Sequence, residues 1–132
     1  MLKRINPPGV HAPAPSYCQV VEDTDRGIVH VAGQVGLTPD GKLAGPDMAS
    51  QLRQILANLD AILRELSLER SRFVKRTVYV TDIDEYYTPE VSGQVTAYFG
   101  AEVFTSTLVQ VVRLFSREAR IEVETVLHRQ CG

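Results

Sequence analysis

The sequence predicts an α+β fold in which a mixed sheet carries two helices on one face. Short runs rich in Val, Ile, Tyr and Thr alternate with two segments whose apolar residues recur every three or four positions. The length of 132 residues matches a single hydrophobic core, so residues 1–132 are expected to form one domain. Apolar residues make up 44% of the chain and charged residues 23%, which is typical of an ordinary globular protein.

The N-terminal part is predicted to form an extended segment followed by a β-hairpin. Residues 1–15 hold four of the seven prolines. Because proline lacks a backbone donor and fixes φ, this segment is expected to be an extended lead-in, neither helix nor central strand. Residues 17–22 and 27–34 are short runs rich in β-branched residues. The polar stretch between them ends in Gly27, as hairpin turns often do.

The most regular pattern in the sequence predicts an amphipathic helix that ends at Leu66. Its apolar residues recur at steps of three and four and therefore share one face. They are Leu52, Ile55, Leu56, Leu59, Ile62, Leu63 and Leu66. Pro46 fits the first turn, where a missing donor costs nothing, and Asp47 complements the positive end of the helix dipole. Gln51 is expected on the solvent face.

The second half of the chain predicts one more helix and three more strands. Residues 73–80 are rich in Val, Tyr and Thr, which favours a strand. Residues 88–99 predict a helix that ends at Gly100. Two last strands, 108–114 and 120–127, flank a polar turn. The predicted order of elements is therefore β-β-α-β-α-β-β.

The predicted strands place apolar residues on both faces of the sheet. In the runs 78–80 and 108–112 apolar side chains point to both sides, as they do in strands that are buried on both faces. Two helices cover one face only. We expect other copies of the chain to cover the second face, because closed homo-oligomers commonly bury such a surface. The alternative is a sheet curled enough to cover itself.

Charge and hydropathy argue against two classes of partner. The 14 basic and 16 acidic residues are interspersed and sum to a net charge of −2, so no broad positive face is predicted for nucleic acid or anionic lipid. No apolar run approaches the roughly 20 residues that span a bilayer, and residues 1–9 are polar and proline-rich. We expect a cytoplasmic protein that binds neither nucleic acid nor a membrane.

The cysteines and histidines do not show the spacing of a metal site. Cys18 and Cys131 lie far apart and form no CxxC motif, and a reducing compartment would leave both as thiols. The histidines have no metal-type companions nearby in the sequence. The glycines form neither a GxGxxG motif nor a P-loop. We therefore predict no metal and no nucleotide phosphate site.

Two carboxylates in the last strand are candidate site residues. Glu122 and Glu124 alternate with apolar residues, so both point to the same face of the sheet. One interpretation is a solvated strand face. The other is that one carboxylate lies in a subunit cleft as a general acid or base, which requires partial burial and a bound water or substrate.

Several short motifs, in a specific order and spacing, carry a resemblance to a known family. They are Pro15-Ser16-Tyr17, Val31-Ala32-Gly33-Gln34, the 51–66 helix with Asn58, Lys75-Arg76-Thr77-Val78-Tyr79-Val80 with Asp82, Val109-Gln110-Val111-Val112-Arg113-Leu114 and Ile121-Glu122-Val123-Glu124. From residue 12 to residue 127 the chain closely resembles the Rid family, also called the YjgF-like or endoribonuclease L-PSP family.

The resemblance implies a chorismate-mutase-like fold and a homotrimer that binds small molecules in clefts between its subunits. It also implies an activity, since active members are imine deaminases that hydrolyse 2-imino acids, or their enamine tautomers, to 2-oxo acids and ammonia without a cofactor. Tyr17 matches the cleft tyrosine of the family and Gly33 the glycine whose backbone lines the cleft. Glu122 matches the acidic residue that holds or activates the attacking water.

Two positions depart from the pattern of active members. Ala32 stands where they have a serine, and Ser106 stands where they have the arginine that binds the substrate carboxylate. An arginine can make two parallel hydrogen bonds to a carboxylate, and its loss in a desolvated cleft costs about 2–5 kcal/mol of binding free energy. The predicted substrate-binding residues are Ala32, Gly33, Ser106, Thr107 and Leu108. The basic residues of a neighbouring subunit that could compensate are Arg76, Arg113 and Arg120.

Two functional hypotheses follow from these observations. The first is a Rid-type trimer that binds a small imine, enamine or carbonyl compound, neutral or less acidic than a 2-imino acid, with hydrolysis through water held by Glu122. The second is a non-enzymatic binding or regulatory module on the same trimer. A third, an endoribonuclease, rests on the older family name and is disfavoured by the net charge of −2 and the lack of a histidine pair for RNA cleavage.

Overall fold

A six-stranded mixed sheet forms the framework of the protein, in a computed structural model that describes residues 1–100 and 102–129. The strands are β1 (Leu2–Ile5), β2 (Val20–Asp23), β3 (Ile28–Val35), β4 (Phe73–Val80), β5 (Thr105–Gln110) and β6 (Ile121–His128). Their order across the sheet is β1-β2-β3-β6-β4-β5, in which β4 and β5 are parallel and the other neighbours antiparallel. Cys131 lies outside the described residues.

In the described residues three α-helices accompany the sheet, and they are α1 (Met48–Leu66), α2 (Ile83–Tyr86) and α3 (Pro89–Phe99). The helix α1 packs on β3 and β6 and against α3, so the two long helices and the sheet enclose one core. The predicted α+β fold with a mixed sheet is confirmed. None of the helices in the described residues is long and apolar enough to cross a bilayer.

The apolar stripe predicted for α1 is buried along its whole length, from Leu52 to Leu66. The helix begins at Met48, after the residues that the sequence suggested for its first turn. Asp47 is the N-cap, and its Oδ2 atom accepts a hydrogen bond of 3.0 Å from the amide of Ser50. Pro46 therefore precedes the cap, and its predicted place in the first turn was wrong. The helix ends at Leu66, and its C-cap residue Ser67 has a φ of 54°.

Gln51 was expected on the solvent face of α1, and that prediction was wrong because its side chain is fully buried. Its Nε2 atom donates to the carbonyl oxygens of Gly45 and Glu118, each at 2.9 Å. Its Oε1 atom accepts from the amide of Arg120 at 2.8 Å. One side chain thus satisfies three backbone groups and ties the loop before α1 to the start of β6.

The strands differ from the predicted ranges at three places. The segment predicted as a lead-in contains β1, an edge strand that pairs with β2, because residues 2–5 precede the prolines and retain their backbone donors. The strand predicted over 17–22 begins only at Val20, since the amide of Tyr17 donates to Ala14 in a turn. The strand predicted over 108–114 is shifted and ends at Gln110.

The face of the sheet that points away from α1 is uncovered in the chain, and we call it the open face. Val78, Val80 and Val123 are buried in the core, so the residues between them point the other way. The open face includes Thr77 and Tyr79 of β4, Thr107 and Val109 of β5, and Glu122 and Glu124 of β6. Apolar residues therefore do point to both faces, as the sequence predicted.

The buried amide of Gln51 provides a test of this fold. Gln51→Ala should lower the free energy of unfolding by about 2–4 kcal/mol, because three backbone groups lose their partner in a buried site. The exposed Arg53 of the same helix offers a control, and Arg53→Ala should stay within about 0.5 kcal/mol of the wild type. Urea denaturation measures both changes. Equal stability of the two variants would contradict the role assigned to Gln51.

Candidate functional site

A cleft of about 640 Å³ opens on the open face, between the N-terminal segment and strands β3 and β6. This volume is in the range of small-molecule sites. The residues on its wall that matter for chemistry are His11, Tyr17, Ala32, Gly33, Phe115 and Glu122. Four of the residues predicted from the sequence therefore meet in one cleft of a single chain.

Glu122 is held in the cleft by the pairing of β6 with β3. It lies opposite Val35, and the register of the two strands shifts between Val31 and Gln34, so Gly33 sits in an irregular stretch of β3. A Cβ atom added to Gly33 would lie 2.8 Å from Cδ of Glu122, and nearer still to Oε2. The carboxylate therefore occupies the space that any other side chain at position 33 would need.

The Glu122 carboxyl is half-buried, and this burial raises its pKa above the ordinary value of 4.5. The charge of Glu124 on the same face raises this pKa further. Both effects disfavour the ionised form. A carboxyl group with a raised pKa can both accept and return a proton at moderate pH, which is what general acid–base catalysis requires.

Tyr17 stands at the mouth of the cleft with 47% of its surface exposed. The proline-rich segment before it ends in a turn in which its amide donates to the carbonyl oxygen of Ala14 at 3.2 Å. Among the described residues its hydroxyl group has no hydrogen-bond partner. The phenol is therefore available to a ligand in the cleft.

A buried polar network, which the sequence did not predict, lies beside the cleft and includes His11 of its wall. Gln19 donates through Nε2 to the carbonyl oxygen of His11 at 3.1 Å, and Nε2 of Gln34 donates to Oε1 of Gln19 at 2.8 Å. Burial lowers the pKa of His11, which favours a neutral imidazole. The network joins three separate segments, so no local pattern in the sequence predicts it.

The predicted binding residues on β5 lie apart from the cleft within one chain. Thr107 shares the open face with Glu124, but Thr77 of β4 lies between them in the register. Ser106 and Leu108 point to the helix side, where Leu108 packs against the core. Any contact between these side chains and a ligand bound at Glu122 would have to involve a second copy.

The arginines considered as basic partners also lie elsewhere. Arg113 and Arg120 line a second cleft of about 480 Å³ together with Thr81 and Asp82. The guanidinium group of Arg120 is already paired with Glu85 through a hydrogen bond of 2.9 Å from Nε. Tyr17, Gly33 and Glu122 all line the first cleft, so we place the candidate chemistry at Glu122.

Comparison with known proteins finds relatives that match nearly the whole chain. The sequence profile of the family described as Endoribonuclease L-PSP matches residues 9–128. A RutC family protein of Aquifex aeolicus is 33% identical over 127 residues, which are 95% of this chain and 98% of that protein. The 2-iminobutanoate/2-iminopropanoate deaminase of Escherichia coli K12 is 31% identical over 114 residues, which are 83% of this chain and 87% of that enzyme.

A solved structure extends the likeness to three dimensions. A Rid-family protein of unknown function from Yersinia pestis superposes with a TM-score of 0.88 at 27% identity, and the match covers 98% of this chain and 100% of that one. The fold and the cleft thus define the class of protein. It is an α+β protein with a carboxylate in a cleft on the open face of its sheet. The chain belongs to the endoribonuclease L-PSP family, the Rid family that its motifs resemble. The chorismate-mutase-like fold is confirmed.

The raised pKa of Glu122 leads to a prediction about stability and pH. The folded protein binds this proton more tightly than the unfolded chain, so the contribution of Glu122 to stability falls as pH rises above the unfolded-state value of about 4.5. Glu122→Gln should therefore be more stable than the wild type at pH 7. This advantage should shrink as the pH falls through the folded-state pKa towards 4.5, and it should be constant and small below 4.5. Urea denaturation at matched pH values and one protein concentration measures the difference.

Glu124→Gln provides the matched control, because Glu124 is an exposed carboxylate on the same strand. It should change the stability at pH 7 by no more than about 0.5 kcal/mol. The account of Glu122 fails if Glu122→Gln is no more stable than the wild type at pH 7.

Proposed function

We propose that this chain is a Rid-type imine deaminase whose reaction takes place in the cleft of Glu122, at the boundary between subunits of a homotrimer. The observation that carries the proposal is the half-buried Glu122 carboxyl, which lies against the bare backbone of Gly33 and has a raised pKa. Membership of the family supports it. So does the 31% identity to a bacterial 2-iminobutanoate/2-iminopropanoate deaminase.

The chemistry needs one group that moves a proton twice. Glu122 accepts a proton from a water molecule as its oxygen attacks the carbon of the C=N bond, and the imine nitrogen takes up that proton. Glu122 then moves the proton of the adduct's hydroxyl group to the amine nitrogen, the C–N bond breaks, and ammonia leaves as the C=O bond forms. One imine and one water thus give one carbonyl compound and one ammonia. A carboxyl whose pKa is raised above its ordinary value suits both transfers.

The open face supports the proposed trimer. Val109 on this face is 36% exposed, and Phe115 beside the cleft is 56% exposed. Exposed apolar side chains on and beside an uncovered sheet face mark an interaction surface. A closed assembly of three copies would bury them and would place a neighbouring chain over the mouth of the cleft.

A charge placed on the open face should break this assembly. Val109→Asp should convert the trimer to smaller species, because the interface would have to bury an unpaired carboxylate. Ala57→Asp is the matched control, since Ala57 is exposed on the outer side of α1, and it should leave the trimer intact. Sedimentation velocity measures the mass of each variant. A monomeric wild type, or a trimer of Val109→Asp, would contradict the proposed interface.

The deaminase proposal predicts that Glu122→Gln lowers kcat by about 10²- to 10⁴-fold, which is the usual contribution of a general acid–base. The assay supplies 2-iminobutanoate, formed in situ by an amino acid oxidase, and follows the loss of the imine above its spontaneous hydrolysis. Glu65→Gln, an exposed carboxylate on α1, is the control and should retain full activity. No turnover by the wild type beside an active member of the family would remove the proposal.

The second candidate is a non-enzymatic binding module that uses the same cleft. The apolar character of much of its wall favours this alternative, since Ala12, Ala14, Val35 and Leu37 line it beside the polar groups. A pure binding role predicts that Glu122→Gln leaves the affinity for ligands largely unchanged. Loss of both turnover and binding in Glu122→Gln would count against this alternative.

A further inference from the structure

The backbone at Ala32 and Gly33 lies where the regular strand pairing of β3 is interrupted. The pairing of β2 with β3 ends at Val31. The pairing of β6 with β3 also reaches Val31, and it resumes with a shifted register at Gln34. The two residues between these points need other contacts to hold them. They include the glycine against which the carboxyl group of Glu122 packs.

Two glutamine side chains supply contacts for this stretch. The amide of Ala32 donates a hydrogen bond of 2.8 Å to the carbonyl oxygen of Gln19. Nε2 of Gln34 donates to the carbonyl oxygen of Ala32 at 3.2 Å and to Oε1 of Gln19 at 2.8 Å. These three bonds close a ring that includes both backbone groups of Ala32. Both glutamine side chains are fully buried, so water does not compete for the bonds.

Gln19 is anchored in turn by the N-terminal segment. Its amide donates to Oδ1 of Asn6 at 2.9 Å. Its Nε2 atom donates to the carbonyl oxygen of His11 at 3.1 Å and lies 3.4 Å from Nε2 of the His11 ring. His11 lines the cleft and is itself buried. The segment that forms one wall of the cleft is thereby tied to the irregular stretch of β3.

The donors and acceptors of this chain of contacts have one consistent assignment. A carbonyl oxygen only accepts, so Gln34 must turn its NH2 group to Ala32 and to Oε1 of Gln19. Gln19 then turns its own NH2 group to His11, whose Nε2 atom must be the unprotonated nitrogen of a neutral imidazole. Burial lowers the pKa of His11, which favours the same neutral form. Each side chain thus fixes the orientation of the next.

The position of Glu122 depends on this backbone. Within residues 1–100 and 102–129 no hydrogen bond holds its carboxyl group, so packing against Gly33 sets its place. A Cβ atom added to Gly33 would lie 2.8 Å from Cδ of Glu122. A small movement of the backbone would therefore change the space in which the carboxyl group lies. A misplacement of about 1 Å at a reacting group can lower a rate about 100-fold.

We propose that Gln34, held by Gln19 and His11, is a positioning residue for the reaction, which fixes Ala32 and thereby holds Gly33 against the carboxyl group of Glu122. It touches neither the carboxyl group nor a ligand and acts only through the backbone of β3. This inference rests on the function proposed above. It assigns the precision of the site to a buried network behind its wall.

The direct test removes the donors of Gln34 and follows the carboxyl group of Glu122. Methionine fills a similar volume without a donor. Gln34→Met should lower the pKa of Glu122 toward 4.5, because a loosened backbone admits water to the carboxyl group. NMR of protein with carboxyl-labelled glutamate measures this titration, and Glu122→Gln identifies the signal. In the imine assay kcat should fall by about 10- to 100-fold while KM changes little.

Gln94→Met is the matched control for the loss of a glutamine amide. Gln94 donates to the carbonyl oxygens of Ala49 and Glu90, at 3.0 and 2.8 Å, where α3 meets α1. This variant should keep the titration of Glu122 and the kcat of the wild type. A folded Gln34→Met variant with the wild-type titration and the wild-type kcat would overturn the proposal. So would a Gln94→Met variant that changes both as much as Gln34→Met does.

A second pair of variants tests the other end of the network and remains informative if Gln34→Met does not fold. His11 lies outside the helices and the regular strands. His11→Leu removes the ring acceptor and should shift the titration of Glu122 in the same direction. His11→Gln places an amide oxygen at about the reach of Nε2 and should titrate like the wild type. Equal behaviour of the two variants would overturn the proposal.

The titration needs no turnover, so the two proposals can fail separately. Turnover by a wild type whose Glu122 titration and kcat are unaffected in Gln34→Met and His11→Leu would overturn this inference and leave the deaminase intact. A titration that shifts as expected, in a protein whose wild type shows no turnover, would remove the deaminase and retain the positioning of the carboxyl group.

Discussion

The close fit between the Glu122 carboxylate and the bare backbone of Gly33 is the constraint on which the candidate site depends. The core fixes the alternation of β6, so Glu122 has to face away from the helices. The irregular pairing of β3 and β6 then brings Gly33 against the carboxylate. Partial burial and the nearby charge of Glu124 follow from that position, and together they raise the pKa of Glu122.

The same sheet explains why one chain does not make a complete site. The helices pack on one face of the sheet, and the cleft opens on the opposite face. In the proposed trimer a neighbouring copy would lie against this open face and would form a further wall of the cleft. The uncovered apolar residues of the open face supply a driving force for such an arrangement. On this view, assembly and catalysis depend on the same surface.

The sequence predicted what depends on local periodicity and missed what depends on contacts between distant segments. The stripe of α1 and the outward direction of Glu122 follow from repeats of 3.6 and 2 residues and could be predicted. The burial of Gln51 could not, because its partners lie on the loop before α1 and at the start of β6. The strand β1 is defined by its pairing with β2. The contacts among His11, Gln19 and Gln34 likewise join segments that no local repeat relates.

The central claim is the proposal that the Glu122 cleft is the place where a small imine or carbonyl ligand binds and reacts. A crystal structure of the assembled protein with bound 2-oxobutanoate tests this claim most directly. The account predicts that the oxo carbon lies beside Glu122 and Tyr17, in a cleft that a neighbouring copy covers. A ligand bound away from Glu122, or an assembly that leaves this cleft uncovered, would contradict it.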